Sequence, residues 1–202
     1  MKTYRAIVPA LLVLCAVMAS VVVSPVWAGK KNSSGMPPLN ADEVAALTYM
    51  REEEKLARDV YLIMYEYWGA ETFEQIAVSE QQHMDIMETK LDKYDLPDPA
   101  LPGIGKFTDP YLQKKYAELV EIGAESLIQG LYVGATIEEI DMVDIQHAIG
   151  VTKHLDIVVA YQNLLEGSKN HLRAYVRAFS AQGGTYEPQY ISQELFDAIM
   201  GL

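Results

Sequence analysis

In the stretch SEQQHMD, residues 79 to 85, Glu80 and His83 stand three positions apart. On a helix that spacing puts a carboxylate and an imidazole on one face. The pair is either a solvated charge beside a stray histidine or part of a metal site, since both groups are ligands for divalent cations. The same choice arises for Glu54, for Glu138 with Asp141, and for His171. Cys15 is the only cysteine and lies in an amino-terminal segment expected to be removed. Any metal must therefore sit on Asp, Glu and His.

Which way these side chains face depends on the helices that carry them. Asn40 with Glu43 has the pattern of a capping box, and apolar periodicity continues to Trp68, where Gly69 stops it. A second helix spans about Glu71 to Tyr94 and ends at DLPDPALPGIGKF, which cannot continue a helix. Asp109 and Pro110 open a third helical region that runs to about Ala148, with a bend near Gly123 or Gly130. The fourth runs from about Lys153 to Ala181, and a short carboxy-terminal helix starts from a Ser192 cap. No alternating run is long enough for a strand. The expected fold is all-α, an antiparallel four-helix bundle with one long crossing connection and a short C-terminal helix.

Buried seams recur in steps of three and four residues, so a polar residue in step with apolar ones points inward. The first helix gives Leu47, Met50, Glu54, Ala57, Tyr61 and Met64. The second gives Phe73, Ile76, Glu80, His83, Met87 and Leu91. The third gives Leu127, Leu131, Gly134, Glu138, Asp141 and Ile145, and the fourth Tyr161, Leu164, Ser168, His171 and Tyr175. Each residue also has an ordinary explanation. Glu54 ends the run REEEK, and such runs are usually solvated. Glu80 with His83 would serve as a surface pair, and Glu138 beside Glu139 would turn outward with a one-residue change of phase. His171 alone would be a satisfied core histidine, and the tyrosines packing residues. Together they are harder to dismiss. Several carboxylates in one core repel one another and lose hydration unless protons or a cation compensate. On that view Glu80→Gln should strengthen the metal-free fold. Two divalent ions would remove the penalty, and oxygen and imidazole donors suit iron first, with manganese or zinc as alternatives. A Glu from one helix with a Glu-x-x-His from its neighbour is half of a carboxylate-bridged two-metal bundle site.

The chain's ends and charge set further bounds. Lys2 and Arg5 precede an apolar run closed by SPVWA, the pattern of a signal peptide over residues 1–28 that is cleaved after Ala28, with a retained membrane anchor as the alternative. Residues 29–39 read as a flexible leader and 40–202 as one domain. The net charge is −12, and removing residues 1–28 takes away two basic residues and no acidic ones, leaving −14. That excludes nucleic acid and anionic membrane surfaces as partners. The expected location is periplasmic or extracellular. The expected partners are metal ions and small oxidants, with a homodimer as the assembly considered.

EKLARDVY in the first helix and FEQIAVSEQQH in the second resemble the ferritin-like and rubrerythrin-like diiron proteins, whose Glu-x-x-Ala-Arg-x-x-Tyr is matched by Glu54, Ala57, Arg58 and Tyr61. EEEKLARDVY, VGATIEEIDMVDI, NLLEGSKNHLRAY and YEPQYIS more closely resemble the exported family catalogued as domain of unknown function 2202, over residues 42 to 195. The resemblance implies a ferritin-like bundle without implying a reaction. In its terms Glu80 would bridge two metals, Glu54 and His83 holding one, Glu138 and His171 the other. Arg58 and Tyr61 would lie behind these ligands, Arg58 holding the Glu54 carboxylate. The chain departs from the diiron pattern at Ser168-x-x-His171, where a second Glu-x-x-His is expected, so Asp141 becomes the substitute ligand. Three functions follow: a diiron oxidoreductase or iron-handling protein, a non-catalytic extracytoplasmic metal-binding module, or a metal-free helical interaction protein.

Overall fold

The structure is a computed structural model describing residues 37–202; the expected signal peptide and most of the leader lie outside the described residues. Six helices follow one another: α1 (Ala41–Trp68), α2 (Glu71–Lys93), α3 (Pro110–Gly123), α4 (Leu127–Val151), α5 (Leu155–Ala181) and α6 (Gln193–Met200), and there is no strand among the described residues. None of these helices is long and apolar enough to cross a membrane.

Local chemistry sets the ends. Asn40 accepts the amides of Asp42 and Glu43 while Glu43 accepts that of Asn40, so the capping box forms as expected. Glu43 also accepts the Lys153 amide at 2.7 Å and meets His154 Nδ1 at 2.8 Å, which ties the start of α1 to the α4–α5 link. His154 Nε2 in turn meets the Pro37 carbonyl at 3.0 Å, and Leu39 packs on the core. Residues 37 to 39 thus belong to the domain rather than to the leader. At the other end of α1, Gly69 takes φ +63°, a left-handed conformation that costs a side-chain-bearing residue about 1 kcal/mol or more.

Two residues join α1 to α2 and three join α4 to α5, so each pair is antiparallel; α1 also packs on α4, and α2 on α5. The four long helices form the bundle, and residues 94–126 make the crossing connection. That connection differs from the expected bent helix. Ser126 is extended, at φ −167°, and caps Gln129, so α3 and α4 are separate helices, with α3 laid across α1 and α4. Ser126-x-x-Gln129 is itself a start signal. Gly123 fixes the packing there, since a Cβ would sit 2.5 Å from Met64 Sδ.

The run Arg51 to Lys55, expected to be largely solvated, is buried throughout. The crossing connection covers Arg51, Glu52 and Lys55, while Glu54 faces the bundle core. Arg51 pairs with Asp98 at 2.8 Å and Glu88 at 3.1 Å, and Glu52 accepts the Thr108 and Asp109 amides. Lys55 pairs with Asp59, donates to the Gly103 carbonyl and lies 4.6 Å from the Phe107 ring centre. Glu139 likewise anchors the segment before α6, accepting the Tyr186 hydroxyl and the amides of Gln189, Tyr190 and Ile191.

Candidate metal centre

All the residues assigned to the inward seams are buried save Leu127, which is half-buried at the start of α4; Glu54 and Glu138 are 1% exposed, Glu80 2%, His83 7% and His171 8%. Glu54 comes from α1, Glu80 and His83 from α2, Glu138 from α4 and His171 from α5. Two groups of donors result. Glu54, Glu80 and His83 form one, and Glu80, Glu138 and His171 the other, the donor atoms of each lying within 4.8 Å of one another. Glu80 belongs to both. Its Oε2 lies 2.7 Å from His83 Nδ1 and its Oε1 2.8 Å from His171 Nδ1. Glu54 Oε2 is 3.2 Å from His83 Nδ1, and Glu138 Oε2 is 3.4 Å from His171 Nδ1.

Close approach here does not amount to hydrogen-bond satisfaction. Glu54 Oε1, Glu80 Oε2 and His171 Nδ1 are buried without a hydrogen-bond partner. Three buried carboxylates outside this cluster behave differently, Glu52 and Glu139 accepting two and three backbone amides and Asp59 that of Gly105, whereas Glu53 and Asp141 accept none and each keep an unpartnered oxygen. The first three are anchors. Glu54, Glu80 and Glu138 receive no backbone amide and face imidazoles and one another, which is the donor set a hard or borderline cation needs. These buried Glu and His groups could hold a metal ion.

The charge balance of the protein without a metal is also set by this geometry. Burial pushes the Glu54 carboxyl up to about 8, against the pull of His83, and burial with the neighbouring Glu80 charge pushes Glu138 up to about 7. Burial opposes charging of the histidines as well, but the facing carboxylates win: Glu54 and Glu80 raise His83 to about 12, and Glu138 and Glu80 raise His171 to about 10. Glu80, between two imidazoliums, is held below the ordinary carboxylate range despite its burial. Protonated histidines thus stand in for cations.

The surrounding shell orients the donors. His171 Nε2 meets Ser79 Oγ at 2.9 Å, which leaves Nδ1 for the cluster. His83 Nε2 rests on bare backbone, because a Cβ at Gly167 would lie 2.5 Å from it. Tyr61 donates its hydroxyl to Glu138 Oε1 at 2.6 Å, so it lies behind one of the candidate donors. Arg58 does not hold Glu54. Its Nε and Nη2 donate to Asp59 at 3.0 and 2.6 Å and its Nη1 to Gln81, because Asp59 beside it is fully buried and already part of the loop anchor. Asp141 lies close enough for the charges of Glu54, Glu138 and Glu80, together with its burial, to raise its pKa well above the ordinary value. It belongs to neither donor group: Ser168 donates to its Oδ2 at 2.5 Å, while Oδ1 has no partner. Ser168 thus answers Asp141 across α4 and α5. Sequence reasoning missed Ser79 and Gly167. Ser79 was accessible to it, one residue before Glu80 and one turn before His83; Gly167, a glycine inside a helix, was the other signal.

Comparison with known proteins agrees with the fold and adds no activity. The family described as "Uncharacterized protein domain (DUF2202)" matches residues 43–201. The chain is 46% identical over 164 residues to a protein of Methanocaldococcus jannaschii described as "Uncharacterized protein MJ0754", an alignment covering 81% of this chain and 89% of that protein. The crystal structure of hypothetical protein MJ0754 superposes with a TM-score of 0.81 at 45% identity, covering 83% of this chain and 96% of that one. With its family match spanning nearly the whole described domain, the chain belongs to the DUF2202 domain family.

Proposed function

We propose that this is an exported, ferritin-like protein whose core binds two metal ions, iron in the first instance, and uses them to reduce a small oxidant or to handle iron. One observation carries the reading: two buried donor groups share Glu80 and leave lone pairs without hydrogen-bond partners. Glu54 with His83 and Glu138 with His171 would hold one ion each, with Glu80 between them. A bound iron pair would supply redox chemistry toward oxygen or peroxide. The chain's part is to orient the donors. Ser79 and Gly167 fix the two imidazoles, and Tyr61 steadies Glu138 by donating a hydrogen bond to it.

A second reading draws on the same contacts. Because His83 and His171 are both drawn to the charged form, the core can be neutralised by protons alone, as a metal-free helical protein would require. Elemental analysis of the mature protein with a ferrous-oxidation assay tests the two together. Two irons per chain with ferrous oxidation support the proposal; iron without oxidation leaves a non-catalytic metal-binding module; a protein that takes up no iron, manganese or zinc refutes it.

A further inference from the structure

Where α3 crosses α1 and α4 a cleft opens, with Tyr49 and Glu53 of α1, Tyr111 and Lys115 of α3 and Ile140 of α4 among its walls. Glu53 is its one deeply buried polar side chain. It is 4% exposed, and its Oε2 is shut away from water without a hydrogen-bond partner. Glu52 beside it accepts two backbone amides and Glu54 faces an imidazole, but among the described residues no amide or cationic side chain bonds to Glu53. What it meets is another acid. Asp144 of α4, half-buried, stands within hydrogen-bond reach of the Glu53 carboxyl. Lys115 feels both charges from α3, yet no ion pair joins it to either. Two buried or half-buried acids in contact repel one another and lose hydration unless a proton or a cation lies between them.

A third donor stands one turn along α4. His147 follows Asp144 at the three-residue spacing that also separates Glu80 from His83, it is exposed, and its charge is felt at Asp144. A carboxylate on α1 beside a carboxylate and an imidazole three positions apart on a neighbouring helix is the arrangement of Glu54 with Glu80 and His83, repeated here nearer the surface.

We propose that Glu53, Asp144 and His147 form a further metal site, apart from the Glu80-centred donors, for a single borderline divalent cation of the zinc class. Two carboxylates and one imidazole supply three ligands, and the open side of the cleft leaves the fourth position of a tetrahedral ion to water. The ion performs no redox step. It answers the two acids and ties α1 to α4, fastening the first helix pair to the second, and it does so whether or not the inner donors are filled.

The chain has four histidines, so NMR of the imidazole rings reads each one while zinc is titrated into chelator-stripped mature protein. The His147 ring signal should move in wild type and equally in His171→Ala, whose inner donor set is broken. In Asp144→Asn it should stay in place, and one zinc per chain should be lost. His147→Gln, a change at an exposed position, should lose the same ion without altering the metal-free Tm, and zinc should raise its Tm less than that of wild type. A His147 ring that zinc leaves unmoved, or equal zinc content in wild type, Asp144→Asn and His147→Gln, overturns the site. The rings of His83 and His171 report the inner donors, so the failure of one site is seen apart from that of the other.

Discussion

Metal loading should release protons, and the number follows from the site. At pH 7 the metal-free cluster holds a proton on His83, raised to about 12, and on His171, raised to about 10. Glu54, raised to about 8, holds most of another, and Glu138, at about 7, holds half of one. Glu80 is already ionised. Metals that bind both Nδ1 atoms and all three carboxylates must displace these protons, so about three leave per chain at pH 7. At pH 9 the Glu54 and Glu138 protons have largely gone, and the release should fall to about two. Calorimetric titration of ferrous or manganous ion in buffers of different ionisation enthalpy measures the count directly. His171→Ala should lower it by less than one at pH 7, because Glu138 and Glu80 lose the imidazolium that draws them to the charged form and hold more proton themselves. A release of one proton or fewer at pH 7 would refute the argument, since it would mean that the imidazoles are not ligands or are not protonated beforehand.

Other consequences can be checked separately. Pure repulsion among the core carboxylates would make Glu80→Gln stabilising without metal, but Glu80 sits between two imidazoliums. Its loss should instead cost about 3 kcal/mol, lowering the metal-free Tm by roughly 10 °C, and a raised Tm would restore the repulsion view. Gly167→Ala displaces His83 and Ser79→Ala frees His171, so each should weaken metal binding about 10- to 100-fold in competition with a chromophoric chelator. Unchanged affinity in both would show that neither residue orients a ligand. Glu43 responds to acid. Burial opposes its charge, but His154 and the amides of Asn40 and Lys153 bring it down from 4.5 to about 2. Its stabilisation is present above pH 4.5 and lost as pH falls toward 2; the part due to protonated His154, raised above 6.5, is present below pH 6.5 and lost as pH rises through the raised value. Urea melts of wild type and Glu43→Gln should therefore differ at pH 5 to 6 and converge near pH 2, and a constant gap down to pH 2 would count against the ionised pair.

The inward seams were legible because a bundle imposes one period on apolar and ligand residues alike, so Glu54, Glu80, His83, Glu138 and His171 could be phased by their neighbours. The same rule failed where the cover is a loop. Arg51, Glu52 and Lys55 are buried by residues 98 to 109, and DLPDPALPGIGKF has no periodicity to announce that it will lie on α1. Arg58 was misjudged for a related reason: one turn from Glu54 along the helix is an axial step, and the side chain turns instead toward Asp59 and Gln81. Ser168 looked like a missing ligand in the sequence because its partner, Asp141, lies on another helix and only the α4–α5 pairing brings the two together.

The donors come from four helices, and the crossing connection lies between the two pairs. No hairpin of this chain holds a complete pair of sites: α1 and α2 carry one group, and the other needs α4 and α5 as well as Glu80. The complete centre therefore exists only once both helix pairs have packed together. Were the chain exported unfolded, as proposed, the choice of metal would be made on the far side of the membrane, among the ions of that compartment. If the centre binds metal as proposed, protein refolded in media of different metal content should carry correspondingly different ions.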